Sequence, residues 1–229
     1  MDIRNRRDWA AYEPGAIPTK ADISPLEAWL DRFPAPRGTR ILDLGCGSGE
    51  ITAAMQGRGF DTIGIDVNAG AIEAARHRGS GAVFMVGDVA GSQGLDPALG
   101  RFDGIVCQLL LSVVGDPSDR RQALVNAHGA LVTGGSLFAS FSGRSDDINP
   151  EYARSYREDF AETREDGTYF SRDERGNVLY CTHHFRQDEV LALMEAAGFS
   201  GIDIQERIES SSRRPEQKAR FLYATAVKA

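Results

Sequence analysis

Asp43, Gly45, Gly47 and Gly49 are the residues of this chain whose types and spacing most directly imply chemistry. They lie in Ile41-Leu42-Asp43-Leu44-Gly45-Cys46-Gly47-Ser48-Gly49-Glu50, where a short apolar run meets glycines at alternating positions. Glycine lacks a Cβ and tolerates positive φ, so the chain can turn sharply after a strand and leave backbone amides open to a ligand. Helical periodicity resumes at once with Ile51, Ala54 and Met55. Strand, glycine turn and helix in that order describe a nucleotide-type site. The spacing is Gly-x-Gly-x-Gly, however, and not the Gly-x-Gly-x-x-Gly of dinucleotide-binding folds. Asp43 is a second departure, because an anion there is unfavourable beside a pyrophosphate and favourable beside a cation.

Candidates for handling a proton lie far downstream. His183 and His184 titrate near neutral pH, and Tyr156, Tyr169 and Tyr180 could orient an acceptor group. Neighbours in a strand point to opposite faces, so at most one of the two histidines can face a site and the pair cannot chelate one metal in the usual way. The competing reading packs one histidine beneath the sheet edge and leaves the other solvated, with the tyrosines as packing aromatics. Asp146, Asp147 and Asn149 offer hard oxygen ligands, but they lack a calcium-loop pattern and fit a solvated turn. Cys46, Cys107 and Cys181 are far apart and without metal-ligand spacing, which indicates neither a disulfide framework nor a zinc site and fits a reducing cytoplasm. No metal is expected.

These residues need elements to hold them. A second strand, Thr62-Ile63-Gly64-Ile65-Asp66, ends in an acid roughly 20 residues after the glycine turn, as a βαβ repeat requires. A third, Ala82–Val86, leads into Gly87-Asp88-Val89, and a fourth follows Phe102-Asp103 as Gly104-Ile105-Val106-Cys107-Gln108-Leu109-Leu110. Helices are expected near Gly49–Arg58, Ala69–Arg78 and Ser118–Leu131, the last after the start signal Asp116-Pro117-Ser118 and directing Leu124, Val125, Leu131 and Val132 to the core. Gly134-Gly135 turns into a fifth strand, Ser136–Phe141.

This ordered set resembles the class I S-adenosylmethionine-dependent methyltransferases, whose signature is a strand ending in Asp or Glu followed by Gly-x-Gly-x-Gly. The likeness covers about residues 38 to 142 well and the C-terminal part more loosely. It implies a single Rossmann-like doubly wound α/β domain. The sheet would be mostly parallel and seven-stranded, of order 3-2-1-4-5-7-6 with the last strand antiparallel, helices on both faces and a cap insert after strand 5. It also implies the roles of the site residues. Gly45, Cys46, Gly47 and Gly49 allow close backbone approach, and Asp43 acts near the amino-acid moiety of S-adenosylmethionine. Asp66, with Val67 beside it, accepts from the ribose hydroxyls. Asp88 and Val89 hold the adenine, and Gln108 and Leu109 line the methionine side. His183, His184 and Tyr180 remain the catalytic candidates.

Length and charge bound the rest. With 229 residues the chain accommodates one such domain with modest additions. Residues 1–37 are proline-punctuated and read as an N-terminal arm, with a helix over about Ser24–Phe33 capped by Ser24. The arm either covers the opening, through Tyr12, Thr19 and Lys20, or merely packs on the sheet. Residues 38–229 form the methyltransferase domain, and about 143–182 a charged insert that reads as a substrate cap. In it, Asp166-Gly167 and Arg175-Gly176-Asn177 frame a hairpin. A helix Gln187–Ala197 stopped by Gly198, and strands around Gly201–Arg207 and Arg220–Val227, complete the chain. A formal net charge of −7 opposes a sequence-independent grip on nucleic acid. No signal-peptide pattern or run of roughly 20 apolar residues appears, so a cytoplasmic monomer or homodimer is expected.

The expected activity is methyl transfer to an oxygen or nitrogen of a small molecule. Arg154, Arg157, Arg164, Arg172 and Arg175 point to a carboxylate or phosphate on that acceptor, since guanidinium pairs bidentately with both. The alternatives are an RNA or protein acceptor, a non-catalytic cofactor binder, and a nicotinamide dehydrogenase.

Overall fold

In the computed structural model, residues 9–10, 21–173, 175–211 and 215–229 are described; Tyr12, Thr19 and Lys20 lie outside them. Helix α1 (Ser24–Leu30) is followed by β1 (Arg40–Leu44), α2 (Glu50–Gly57), β2 (Asp61–Asp66), α3 (Ala69–His77), β3 (Val83–Val86) and β4 (Phe102–Gln108). Next come the short α4 (Leu110–Val113), α5 (Pro117–Ala130) and the long β5 (Leu131–Gly143). The insert contributes α6 (Pro150–Thr163), β6 (Thr168–Arg172) and β7 (Val178–His183), before α7 (Gln187–Ala196), β8 (Ser200–Ser210) and β9 (Lys218–Val227). The main sheet has seven strands in the order β3-β2-β1-β4-β5-β9-β8, while β6 and β7 form a separate two-stranded sheet. Counting only the main-sheet strands, the order is 3-2-1-4-5-7-6, with the last strand antiparallel to both its neighbours.

Alternation along the central strands divides the core between two faces. Leu42, Ile105, Cys107, Leu137 and Ala139 pack with Ala123, Leu124 and Ala127 of α5 and Val190 and Met194 of α7. Ile41, Val106 and Phe138 pack on the other side with α1, Met55 of α2 and Tyr152 and Tyr156 of α6. Trp29 anchors α1 there, 1% exposed, with its indole N–H donating to Ser136 Oγ at 2.9 Å. Gly104 makes room for it, since a Cβ would stand 2.8 Å from the indole.

Four expectations are corrected. Ser24 does not cap α1; the N-cap is Ile23, and Asp22 accepts from both the backbone N–H and the hydroxyl of Ser24. The helix ends at Leu30, short of Phe33, whose ring meets Trp29 edge-on. Val125 faces outward at 39% exposure, and Leu131 and Val132 belong to β5 rather than to α5. The insert is more than a hairpin, because α6 precedes it, started by Asn149, whose side chain accepts from Glu151 N–H, and by Pro150. Asp146, Asp147 and Asn149, expected in a solvated turn, are two ion-pair partners and a helix cap: Asp146 meets Arg144 at 3.0 Å and Asp147 meets Arg220 at 2.8 Å.

Trp29→Ala is expected to destabilise the protein by about 3–5 kcal/mol, the cost of an emptied aromatic core position. Trp29→Phe should lose about 1 kcal/mol with the Ser136 hydrogen bond. Urea denaturation of the two variants checks both magnitudes.

Candidate functional site

The turn after β1 is fixed to β2 by backbone bonds, with Gly45 and Cys46 N–H both donating to Ile65 O at 2.8 and 3.1 Å. Its glycines serve different ends. Gly47, at φ +52°, has open space where a Cβ would stand, and its N–H donates to Asp66 Oδ2 at 2.9 Å. Gly49, at φ +79°, is the N-cap of α2, and a Cβ there would stand 2.6 Å from the Phe84 ring. Gly49 does not line the cavity, so its close approach is to the core. Asp66 Oδ1 accepts from Asn68 N–H at 2.9 Å. Asn68 also caps α3, and its amide donates to Trp9 O at 3.0 Å.

Asp43 is buried beneath this turn and accepts from Thr52 Oγ1 at 2.6 Å. Burial, reinforced by repulsion from Asp66 and opposed by the Thr52 bond, pushes its carboxyl up to about 7. A cation nearby would stabilise the ionised form and reverse that shift. Asp88 accepts from Ala90 N–H at 3.0 Å, and Asn126 of α5 reaches across to Val89 O and Gly91 O, fixing the loop after β3.

At the end of β4 two costly features adjoin. Leu109 holds φ +53°, a left-handed conformation rare for a side-chain-bearing residue, and Ser140 of β5 braces it by accepting from its N–H through both Oγ and the backbone oxygen. Gln108 is buried, and among the described residues neither Oε1 nor Nε2 has a hydrogen-bond partner.

One cavity of about 1040 Å³ joins Asp43, Gly45, Cys46, Gly47, Asp66, Val67, Asp88, Val89, Gln108 and Leu109 to Tyr152, Tyr169, Tyr180 and His184 of the cap and the strand leading from it. Trp9 also lines it, its ring tilted on that of Tyr180 with centroids 5.6 Å apart. The histidines diverge. His184 lies in the aromatic end, with Tyr156 Oη 2.7 Å from Nδ1 and Tyr169 Oη 3.4 Å from Nε2. Burial, then His183 and Arg144, push it down to about 3, so its imidazole is neutral. His183 lies outside the cavity, with Nδ1 2.6 Å from Thr168 Oγ1 and Nε2 2.9 Å from Glu189 Oε1. Both are under 5% exposed, which removes the reading in which one is solvated.

Around His183 the cap is locked to the core. Buried Arg120 of α5 pairs with both oxygens of Glu165 at 2.7 and 2.8 Å, and Glu165 accepts from Thr168 at 2.6 Å. The Arg120 pair holds the Glu165 carboxyl below its ordinary range against the opposing effect of burial. Glu165, His183 and Glu189 could each offer an atom to a metal, but the guanidinium seated on Glu165 repels a cation. Within the cap, Asp159 of α6 accepts from Phe170 N–H and from both Arg172 Nη atoms, tying helix to hairpin.

Asn68, Asn126, Ser140 and Trp9 were not read from the sequence as site residues. Asn68 carried a signal, standing one residue before a helix and two after Asp66. The others act through contacts distant in the chain.

Fold and site together define the class I S-adenosylmethionine-dependent methyltransferases, with S-adenosylmethionine as the cofactor of the class. The chain belongs to this family: the family model described as a methyltransferase domain matches residues 20–204. A solved S-adenosylmethionine-dependent methyltransferase from Methanosarcina mazei is similar at TM-score 0.79 and 26% identity, covering 87% of this chain and 96% of its own. The Synechocystis magnesium protoporphyrin IX methyltransferase, solved with S-adenosylhomocysteine, shares the fold at TM-score 0.62 and 17% identity, covering 90% of this chain and 82% of its own. The ubiquinone biosynthesis O-methyltransferase of Pseudomonas aeruginosa is 32% identical over 127 residues, 54% of this chain and 53% of its own. This chain thus spans about half the length of the curated relatives it matches. Among the described residues no helix is long and apolar enough to cross a membrane.

Arg120→Ala leaves Glu165 partly buried without its cation, and the expected loss is about 3–5 kcal/mol of stability. Denaturant unfolding measures that loss, and limited proteolysis of the folded variant should show earlier cleavage within 143–182 than in the wild type.

Proposed function

We propose that this chain transfers the methyl group of S-adenosylmethionine to an oxygen or nitrogen of a small molecule held beneath the cap. The observation that carries the reading is the single cavity with the glycine turn, Asp66 and Asp88 at one end and tyrosines with a neutral histidine at the other. The cofactor fits this lining: Gly47 leaves open space for close approach, and acidic side chains suit a ligand bearing a sulfonium and an ammonium.

A sulfonium-bound methyl is already activated, so transfer depends chiefly on alignment, and positioning alone is worth roughly 7–11 kcal/mol. In this reading Asp66 accepts from the ribose hydroxyls with the lone pairs that Gly47 and Asn68 leave available. Asp88 and Val89 meet the adenine, and Asp43 supplies negative charge near the amino-acid end. Gln108 and Leu109 form the wall between the two halves. The cap excludes water, and His184 with Tyr169 and Tyr180 orients the acceptor; His183 is a positioning residue that fixes β7.

Arg172 and Arg220, which line the cavity, are already committed to carboxylates, and this favours an uncharged acceptor over an anionic one. Arg172 is paired with Asp159, Arg220 with Asp147 and Glu206, and Arg144 with Asp146 and Asp166. The same pairs, with the net charge of −7, weigh against an RNA acceptor. The relative named for ubiquinone biosynthesis supports a small molecule.

The test is incubation of the protein and of Asp66→Ala with methyl-labelled S-adenosylmethionine and a cell extract. Variant-sensitive label in the small-molecule fraction supports the reading, and label confined to RNA or protein overturns it. In calorimetry, Asp66→Ala should weaken S-adenosylmethionine binding roughly ten- to hundredfold through a lost charge-assisted pair of about 1.5–3 kcal/mol.

Binding should also depend on pH. With the free-protein Asp43 carboxyl raised to about 7, most molecules carry its proton at pH 6 and few at pH 8. A cationic ligand favours the ionised form, so affinity for S-adenosylmethionine should fall about tenfold from pH 8 to pH 6. Asp43→Asn should flatten that profile while binding weakly throughout, as a calorimetric series across the range would show.

A further inference from the structure

We propose that the acceptor is an uncharged planar ring carrying a hydrogen-bond donor beside an acceptor on its edge, and that the Gln108 carboxamide reads that edge. The proposal rests on the methyl-transfer reading and narrows its substrate class. Three independent observations carry it.

The first is the wall. Tyr152, Tyr169, Tyr180 and His184 all line the cavity, and the rings of Tyr152, Tyr169 and His184 lock against one another. The Tyr152 and Tyr169 rings lie 5.9 Å apart at 59°, and Tyr169 and His184 5.2 Å apart at 88°. Interlocked rings give rigid flat surfaces whose favourable partner is another ring, stacked or edge-on.

The second is neutrality. Arg172 and Arg220, which also line the cavity, are held by Asp159 and by Asp147 with Glu206, and Arg154 at the exposed rim faces Glu158. His184 stays uncharged, and burial pushes the Tyr169 phenol up, so it too is neutral. A charged acceptor would enter this end without a counter-ion and lose its hydration.

The third is Gln108. It lines the cavity between the two halves and is more than nine-tenths buried, with both ends of its carboxamide unpaired among the described residues. Buried amides are almost always paired, and one left orphaned calls for an external partner. A carboxamide offers a donor and an acceptor side by side, so its complement presents an acceptor and a donor side by side. Neighbouring hydroxyls or a lactam on a ring meet that requirement. Leu109, strained in a left-handed conformation and braced by Ser140, fixes the backbone from which Gln108 projects.

The test uses the full chain saturated with S-adenosylhomocysteine and three probes observed by ligand-detected NMR. These are catechol, cis-cyclohexane-1,2-diol, which keeps the hydroxyl pair without the flat ring, and anisole, which keeps the ring without a donor. Wild-type protein should bind catechol about tenfold more tightly than the diol and about fivefold more tightly than anisole. Gln108→Leu should abolish the preference over anisole, keep S-adenosylhomocysteine affinity within about twofold, and raise Tm by about 3 °C, because an orphaned polar group has been removed.

The diol binding as well as catechol overturns the ring. A catechol preference that survives Gln108→Leu, or a Tm that falls, overturns the assignment of Gln108. A tenfold loss of S-adenosylhomocysteine binding in the variant gives the carboxamide to the cofactor and overturns it as well. Wild-type protein that fails to bind S-adenosylhomocysteine overturns the methyl-transfer reading itself, an outcome distinct from the others.

Discussion

The arrangement of the cavity depends on how Asp66 joins three loops. Its Oδ2 accepts from Gly47 N–H, its Oδ1 from Asn68 N–H, and its backbone oxygen from Gly87 N–H, each at 2.9 Å. The turn after β1, the loop after β2 and the loop after β3 are thereby fixed to one residue at the carboxyl edge of the sheet. Parallel strands present their ends there together, and a ligand crossing several strand ends needs their loops in fixed relation. One carboxylate supplies that relation while keeping lone pairs for a ligand, since an ionised carboxyl has about four acceptor sites.

The cap is attached by a different logic. It meets the core through charge pairs: Arg120 with Glu165 on one flank, and Arg220 of β9 with Asp147 on the other. Pairs of this kind define geometry more surely than they add stability, because desolvation offsets much of the attraction. Arg172 with Asp159, and Arg220 with Asp147 and Glu206, match the charges that line the cap end of the cavity although the insert is rich in charge. The carboxylates of Asp43, Asp66 and Asp88 stand at the opposite end, so the lining runs from acidic to charge-balanced along its length.

Much of this was legible in the sequence because it is local. Glycine spacing, acids at strand ends and apolar runs at βαβ intervals located the first five strands, and the resemblance to the family implied their sheet order. The helix α6 escaped notice although Asn149-Pro150 is a good start signal, because its surface is charged and its buried residues, Tyr152, Tyr156, Asp159 and Thr163, include no aliphatic side chain. Periodicity is weak where burial is shared between a helix face and a neighbouring hairpin. Asn126, Ser140 and Trp9 were illegible for a plainer reason. Each acts on a segment more than 30 residues away, through hydrogen bonds or a ring contact that no local pattern encodes. The arginines show the same limit, since residue type shows a charge and not its partner, as Arg172 with Asp159 illustrates.

The end of β4 shows where stability has yielded to another demand. Elsewhere buried polar groups are matched: Asp159 by Phe170 and Arg172, Asn126 by Val89 and Gly91, Arg120 by Glu165. At Gln108 and Leu109 an unpaired carboxamide adjoins a strained backbone, and each alone costs on the order of 1–3 kcal/mol. Leucine at 108 and glycine at 109 would each relieve one of these costs without disturbing the sheet register, because Gln108 is the last paired residue of β4 and Leu109 follows it. Departures from local rules gather where function overrides folding. Their position between the acidic and aromatic ends of the cavity is where a transferred group must be aligned with its destination.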